Sequence, residues 1–254
     1  MTKPGVLVIS HGSRERLWVS LVDEAVRELT ARMDLPVEAS YLELVEGRLI
    51  QDGIYALEDQ GVTDMLVIPL FVSSGSTHVD EIAYAIGVKP EPDKETDLEP
   101  FEVKARVHFG RPVDDDPDIA AMVWDKVRGL SKDPSREVIL LVGHGSRHES
   151  FRARWEKGMK SLARLVAEVS GTSADAALLN PGNIREKVEE WKERGCEVIV
   201  APLFLSEGYF TEKVIPDRLE GLGCRYSGQT LLPHPLLPQW MANQARELLE
   251  SLKS

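Results

Sequence analysis

An apolar run closed by the tetrapeptide His-Gly-Ser-Arg occurs twice, as GVLVISHGSR near the amino terminus and as VILLVGHGSR at 138–147, with His11 and His144 separated by 133 residues. The duplication does not stop there. LVIPLFVSSG (66–75) and VIVAPLFLSEG (198–208) share Pro-Leu-Phe-x-Ser-x-Gly, and Pro69 and Pro202 keep the same separation. Farther on, FGRPVDDDPDI (109–119) and SGQTLLPHPLL (227–237) align Gly110 with Gly228 and Pro117 with Pro235, now 118 apart. The first copy therefore carries about 15 additional residues, which fall in GVKPEPDKETDLEP (87–100), where proline and acidic content mark a solvated loop. A chain of 254 residues built this way is confined to two similar domains of ordinary size, expected at 1–130 and 131–254, with the short polar stretch 129–137 between them.

Each copy alternates strand and helix. VLVIS (6–10) and VILLVG (138–143) are continuous apolar runs ending at a turn, as expected of parallel strands buried on both faces. Helical spacing then places Leu17, Leu21, Val22, Ala25, Val26, Leu29 and Met33 on one face, and Phe151, Trp155, Met159, Leu162, Val166 and Val169 on another. The expected fold class is α/β, two tandem doubly wound parallel-sheet domains related by internal duplication. Ligands in such sheets bind outside the carboxyl ends of the strands. HGSR and the loop after PLF both lie at that rim.

Composition narrows the partners. The formal net charge is -12, so nucleic acid and anionic membrane surfaces are not expected partners. No apolar run reaches the roughly 20 residues needed to span a bilayer, and MTKPGVLVIS does not read as a signal peptide, so the expected location is the cytoplasm. Cys196 and Cys224 form no C-x-x-C pair and imply neither cluster nor disulfide scaffold. Neither G-x-G-x-x-G nor G-x-x-x-x-G-K-[ST] occurs, which weakens a nucleotide-binding reading.

The chemistry-bearing rim residues of the first copy are His11 after the first strand, Glu43 after the second and His78 after the PLF strand. Two imidazoles and a carboxylate from three strand ends suit a divalent first-row metal, and equally an acid/base set. The second copy keeps His144, but Thr211 aligns with His78, and AALLNPGN (176–183), around the counterpart of Glu43, has no carboxylate. The working site is therefore expected in the first copy. His144, His148 and His234 form a weaker group with a solvated or structural role. VDDDPD (113–118) reads as a helix start, with Asp116 or Asp118 near the N-terminus. Gly12, Gly75, Gly145 and Gly208 are read as backbone-geometry positions.

HGSR after the first strand, Leu-Glu after the second, and PLF-x-S-x-G followed by His together resemble the class II chelatases of the sirohydrochlorin cobaltochelatase (CbiX) type and the related SirB-like ferrochelatases of siroheme synthesis. The resemblance spans nearly the whole chain as two tandem units. It implies insertion of cobalt, iron or nickel into sirohydrochlorin without ATP, with no cofactor beyond the metal substrate. It also implies His11, Glu43 and His78 as metal-binding and catalytic residues, and a monomer equivalent to the homodimer of shorter members. A polycarboxylate ring would be met by Arg14, Arg16 and the donors of Ser73, Ser74, Gly75, Ser76 and Thr77. The chain departs from the family pattern after His78, where His78-Val79-Asp80-Glu81-Ile82-Ala83 is one residue shorter and lacks proline. That departure brings Asp80 and Glu81 near the metal candidate and favours the alternative of a metal or tetrapyrrole carrier on the same fold. The 87–100 loop is either a lid or a tolerated surface insertion.

Overall fold

A computed structural model describes residues 2–252. In the first copy, β1 (Pro4–Ser10), β2 (Val37–Tyr41), β3 (Asp64–Pro69) and β4 (Arg106–Phe109) form an all-parallel sheet in the order β2-β1-β3-β4, with α1 (Arg16–Thr30), α2 (Ile50–Asp59) and α3 (Thr77–Ala85) in the crossovers. The second sheet repeats this with β5 (Glu137–Gly145), β6 (Ser173–Asn180), β7 (Glu197–Pro202) and β8 (Arg225–Tyr226) in the order β6-β5-β7-β8. Its crossover helices are α5 (Glu149–Ser170), α6 (Ile184–Glu193) and α7 (Ile215–Leu219). Two further helices follow the last strands, α4 (Pro117–Val127) and α8 (Leu236–Ser251). The α/β doubly wound reading is thus the observed fold, and β1 and β5 are buried on both faces.

Strand register shows where the copies stay in step. Ile9 pairs with Pro69 and Val142 with Pro202, a constant separation of 133 residues. Ser10 pairs with Tyr41 but Gly143 with Leu178, because α5 is 22 residues long against 15 for α1. In the last strands Val67 pairs with Phe109 and Val200 with Tyr226, which sets Gly110 against Ser227, one residue away from the Gly228 expected from sequence. Two residues also leave the helical faces drawn from spacing. Leu17 is exposed in the first turn of α1 and Val169 is exposed near the end of α5, while Val22, Ala25, Val26 and Leu29 form the buried stripe.

The compact units are not contiguous in sequence. One comprises the chain through Phe71, Thr77–Pro112 and the segment from Leu237 onward; the other comprises Val72–Ser76 and Val113–Leu236. The helix after each fourth strand thus joins the unit built around the other copy's sheet. In the first unit, Arg111 N donates to Gln244 Oε1 of α8. In the second, α4 packs on α5 and β7. Asp116 caps α4 by accepting from Asp118 N, which fulfils the expected helix start.

The second unit is anchored at the base of its sheet by Glu137, 2% exposed, which accepts from Ser131 Oγ, Lys132 N, Asp133 N and Arg225 Nη2. Burial pushes its carboxyl up, but these four donors outweigh burial and hold it at about 2. A group depressed on folding stabilises the fold above its unfolded value and loses that contribution as pH falls through the folded one. Glu137→Gln is therefore expected to lower stability at pH 7 by about 3 kcal/mol at most. The difference from wild type should shrink between pH 4.5 and about 2. Denaturant midpoints across that range check it; a difference constant with pH contradicts it.

Candidate functional site

The first HGSR turn is shaped by a close backbone approach. After β1, Glu43 N donates to the His11 carbonyl and Leu42 N to that of Ser10, so the β2–α2 connection lies along the turn. Gly12 stands at φ +96°, and a Cβ there would lie 2.0 Å from the Glu43 carbonyl oxygen, so glycine is required. The second copy repeats the device: Gly145 at φ +73° would place a Cβ 2.3 Å from the Asn180 carbonyl oxygen. Asn180 is thus the spatial counterpart of Glu43.

The connection carrying Glu43 is held from behind. Tyr41 OH donates to Asp23 of α1, and Arg48 grips the same carboxylate with Nη1 and Nη2 at 2.8 and 2.6 Å. The guanidinium lies 5.0 Å over the Tyr41 ring. Burial, and after it the Asp23 hydrogen bond, raises the Tyr41 hydroxyl pKa above its ordinary range. Leu44, next to Glu43, adopts φ +68°, a left-handed conformation costly for a branched side chain. Sequence reading missed this clamp, since nothing in the spacing of Asp23, Tyr41 and Arg48 marks them as partners.

Three strand ends bring the expected donors together. His11 Nε2 and Glu43 Oε1 are 3.7 Å apart, and the His11 and His78 rings meet edge to face with centroids 4.7 Å apart. His11 Nδ1 lies 3.0 Å from the Gly12 carbonyl, which only accepts, so that nitrogen donates, and in the neutral ring the lone pair belongs to Nε2. His78 Nδ1 is 2.6 Å from Glu81 Oε1. Bonds from His78, and more weakly from Thr96 Oγ1, hold the Glu81 carboxyl below its usual range despite partial burial. All three donor side chains are partly exposed, Glu43 the most at 55%. Among the described residues, no three His, Cys, Asp or Glu side chains are already converged to hold a metal ion. The set is gathered but open, with Glu43 the most exposed of the three. Its chemistry of two imidazoles and one carboxylate fits a first-row divalent ion held with vacant positions.

The second copy reproduces the frame and replaces the donors. His144 Nδ1 lies 3.0 Å from the Gly145 carbonyl, as His11 does from that of Gly12. The ring meeting His144 edge to face, at 4.9 Å, is Phe210, which also stacks on Phe204. Phe71 and His78 make the matching pair in the first copy. Phe210, not the sequence-aligned Thr211, is therefore the spatial counterpart of His78; Thr211 is buried and bonds back to Gly208. The one-residue offset is absorbed by a π-helical turn at Phe210–Val214, after which Ile215 is as fully buried as Ile82. His148 packs on Phe151, and His234 faces Asp125 at 3.3 Å, where burial lowers its pKa.

The substrate-binding candidates divide. Arg14 and Arg16 are exposed beside the HGSR turn. Ser73 is buried and its Oγ accepts from Gly75 N; Ser74 N and Oγ donate to Asp114 Oδ1. A Cβ on Gly75 would meet Trp155 and the Phe151 carbonyl within 2.6 Å. These three residues thus brace the second compact unit. Ser76 N donates to the Ser73 carbonyl, and Thr77 opens α3. Asp80 is buried on Lys89 Nζ and Asp93 N, while Glu81 reaches His78. No helix among the described residues is long and apolar enough to cross a membrane.

The CbiX family model matches twice, over 5–130 and 138–248. Sirohydrochlorin cobaltochelatase of Methanopyrus kandleri is 26% identical over 135 residues, covering 48% of this chain and 94% of that protein. Among solved structures, SirB from Bacillus subtilis with Fe3+ superposes with a TM-score of 0.76 at 21% identity, covering 97% of this chain and 96% of the other. The sirohydrochlorin chelatase SirB from Bacillus subtilis subspecies spizizenii in complex with cobalt gives 0.73 at 21% identity, covering 98% and 96%.

Proposed function

Because the chain belongs to the CbiX family, matched by its model in both halves, we propose that it is a metal chelatase inserting cobalt, iron or nickel into sirohydrochlorin without ATP, on a path to cobalamin or siroheme. The observation that carries this reading is the meeting of His11, Glu43 and His78 at one strand-end rim. The second copy offers His144, Asn180 and Phe210 in the same frame. The first copy, expected over 1–130, is then the working one, and the second, over 131–254, supplies the frame alone.

The reaction exchanges two pyrrole N–H protons for a dication. Nε2 of His11 and of His78 hold the incoming ion as neutral donors, and Glu43 is its third ligand or the first proton acceptor. An open three-donor set keeps positions for water and then for pyrrole nitrogen, so the ion is retained without being trapped. As each donor releases the ion it becomes a base, and the two protons leave through His11, His78 and Glu43 toward solvent. Arg14 and Arg16 offer guanidinium groups to the ring carboxylates, against the long-range repulsion of a chain with net charge -12. No cofactor beyond the metal substrate is required, and two copies in one chain make a monomer sufficient.

Anaerobic incubation of sirohydrochlorin with Co2+, Fe2+ or Ni2+ and no nucleotide, followed by absorbance, tests the reading. Protein-dependent acceleration is expected with at least one of the three ions. Rates equal to the protein-free control with all three contradict it.

A further inference from the structure

The extra segment of the first copy is exposed over most of its length, as its composition implies, yet it is tied to the fold at several points. Lys89 Nζ pairs with Asp80, Asp93 N donates to Asp80 Oδ2, and Phe101 N donates to the Ala85 carbonyl, all along α3. Leu98, Phe101 and Val103 pack on the core that Leu7 and Ile9 of β1 form with Ile54 of α2 and Ile82 of α3. Gln51 and Tyr55 of α2 then hold Glu102. In the middle of this strap, Thr96 Oγ1 donates to Glu81 Oε2 at 2.7 Å, and Glu81 Oε1 meets His78 Nδ1 at 2.6 Å.

We propose that Glu81, held by Thr96 of the inserted strap, is a positioning residue that fixes the tautomer and ring plane of His78 for metal delivery. This rests on the chelatase reading of the same site. A carboxylate that accepts from Nδ1–H assigns the lone pair to Nε2 and stops rotation about the ring axis, as carboxylates do behind metal-binding histidines generally. Glu81 alone, on one turn of α3, would keep rotamer freedom; the bond from Thr96 removes it by holding the second oxygen. The second half has no strap, and the counterpart of His78 there is Phe210, a ring with no nitrogen to orient. The insertion and the orientable imidazole thus occur in the same copy.

The test compares wild type with Thr96→Val, Thr96→Ser, Glu81→Gln and Lys89→Met. Metal delivery is read as KM for Co2+ and, separately, as Kd for Co2+ on the protein without tetrapyrrole; thermal midpoints and KM for sirohydrochlorin serve as controls. Thr96→Val and Glu81→Gln are expected to weaken both Co2+ constants by about 10-fold or more, with KM for sirohydrochlorin within about two-fold. Thr96→Ser should restore them. Lys89→Met, which loosens the strap at Asp80 but keeps the Thr96–Glu81 bond, should lower the thermal midpoint and leave both Co2+ constants as in wild type. Unchanged Co2+ constants in Thr96→Val, or equal losses in Lys89→Met, overturn the proposal. If wild type binds Co2+ but turns over nothing, the chelatase reading fails while the Kd series still decides the positioning role.

Discussion

His11→Ala and His78→Ala are each expected to lower kcat for metal insertion by about 100-fold or more, the range for losing a group that acts on the reacting atoms. His144→Ala is expected to stay within about three-fold of wild type. The contrast follows from what surrounds each ring. His11 meets a second imidazole and a carboxylate within a few ångströms. His144, fixed in the same way on the following glycine carbonyl, meets a phenyl ring, and the Asn180 amide donates to its backbone carbonyl. An ion placed against His144 would have one nitrogen and no anionic donor, which is too little to compete with water. Steady-state insertion rates for the three variants at saturating tetrapyrrole check this. A loss in His144→Ala as large as in His11→Ala would show that both copies take part in the chemistry.

Gly12→Ala is the second large effect. The added Cβ would lie 2.0 Å from the Glu43 carbonyl oxygen, a backbone atom that moves only with the whole β2–α2 connection, and the φ of +96° is itself unfavourable for alanine. A stability loss of at least about 2 kcal/mol is expected, equal to a fall of about 4–8 °C in Tm for a chain of this size. Insertion activity should fall with it, because the displaced connection carries Glu43 away from His11. Gly145→Ala meets the Asn180 carbonyl at 2.3 Å and φ +73°, so it should cost similar stability while the folded fraction keeps its kcat. Gly208→Ala, with nothing within 4 Å of the added carbon, should do neither. Thermal melts beside rates per folded molecule separate the three; equal kcat loss in Gly12→Ala and Gly145→Ala would contradict a site confined to the first copy.

The strands and the rim were legible in sequence because they rest on short-range rules. Continuous apolar runs become buried parallel strands, and a His-Gly turn at a strand end becomes a rim. His11, Glu43 and His78 could be named from three such ends. What escaped depends on contacts distant in sequence or on single-residue shifts. Phe210 replaces His78 only because the preceding loop is one residue shorter and a π-helical turn restores the register by Ile215. Asn180 answers Glu43 only after the longer α5 has moved the second strand by four positions. The strap at 87–100 reads as solvent-loving by composition, since its prolines and acids are indeed mostly at the surface. Its function in the fold comes from Thr96, Leu98 and Lys89, three residues among many polar ones. Likewise Ser73 and Ser74 have the chemistry of anion donors, yet one caps its own turn and the other is bound by Asp114. The exchange of α4 and α8 between compact units leaves no mark in either helix, as both carry the ordinary amphipathic pattern.

Turnover at limiting protein decides between an enzyme and a carrier on this fold. Sirohydrochlorin and Co2+ in large excess, kept anaerobic, are mixed with a small amount of the full chain, and metallated product per protein molecule is followed by absorbance against a protein-free control. A chelatase gives a linear rise well beyond one product per chain, and that rise is expected for wild type and absent for His78→Ala. A spectral change that stops at one equivalent per chain would mean that the gathered histidines and Glu43 bind without transferring, and the catalytic account of the site would be wrong.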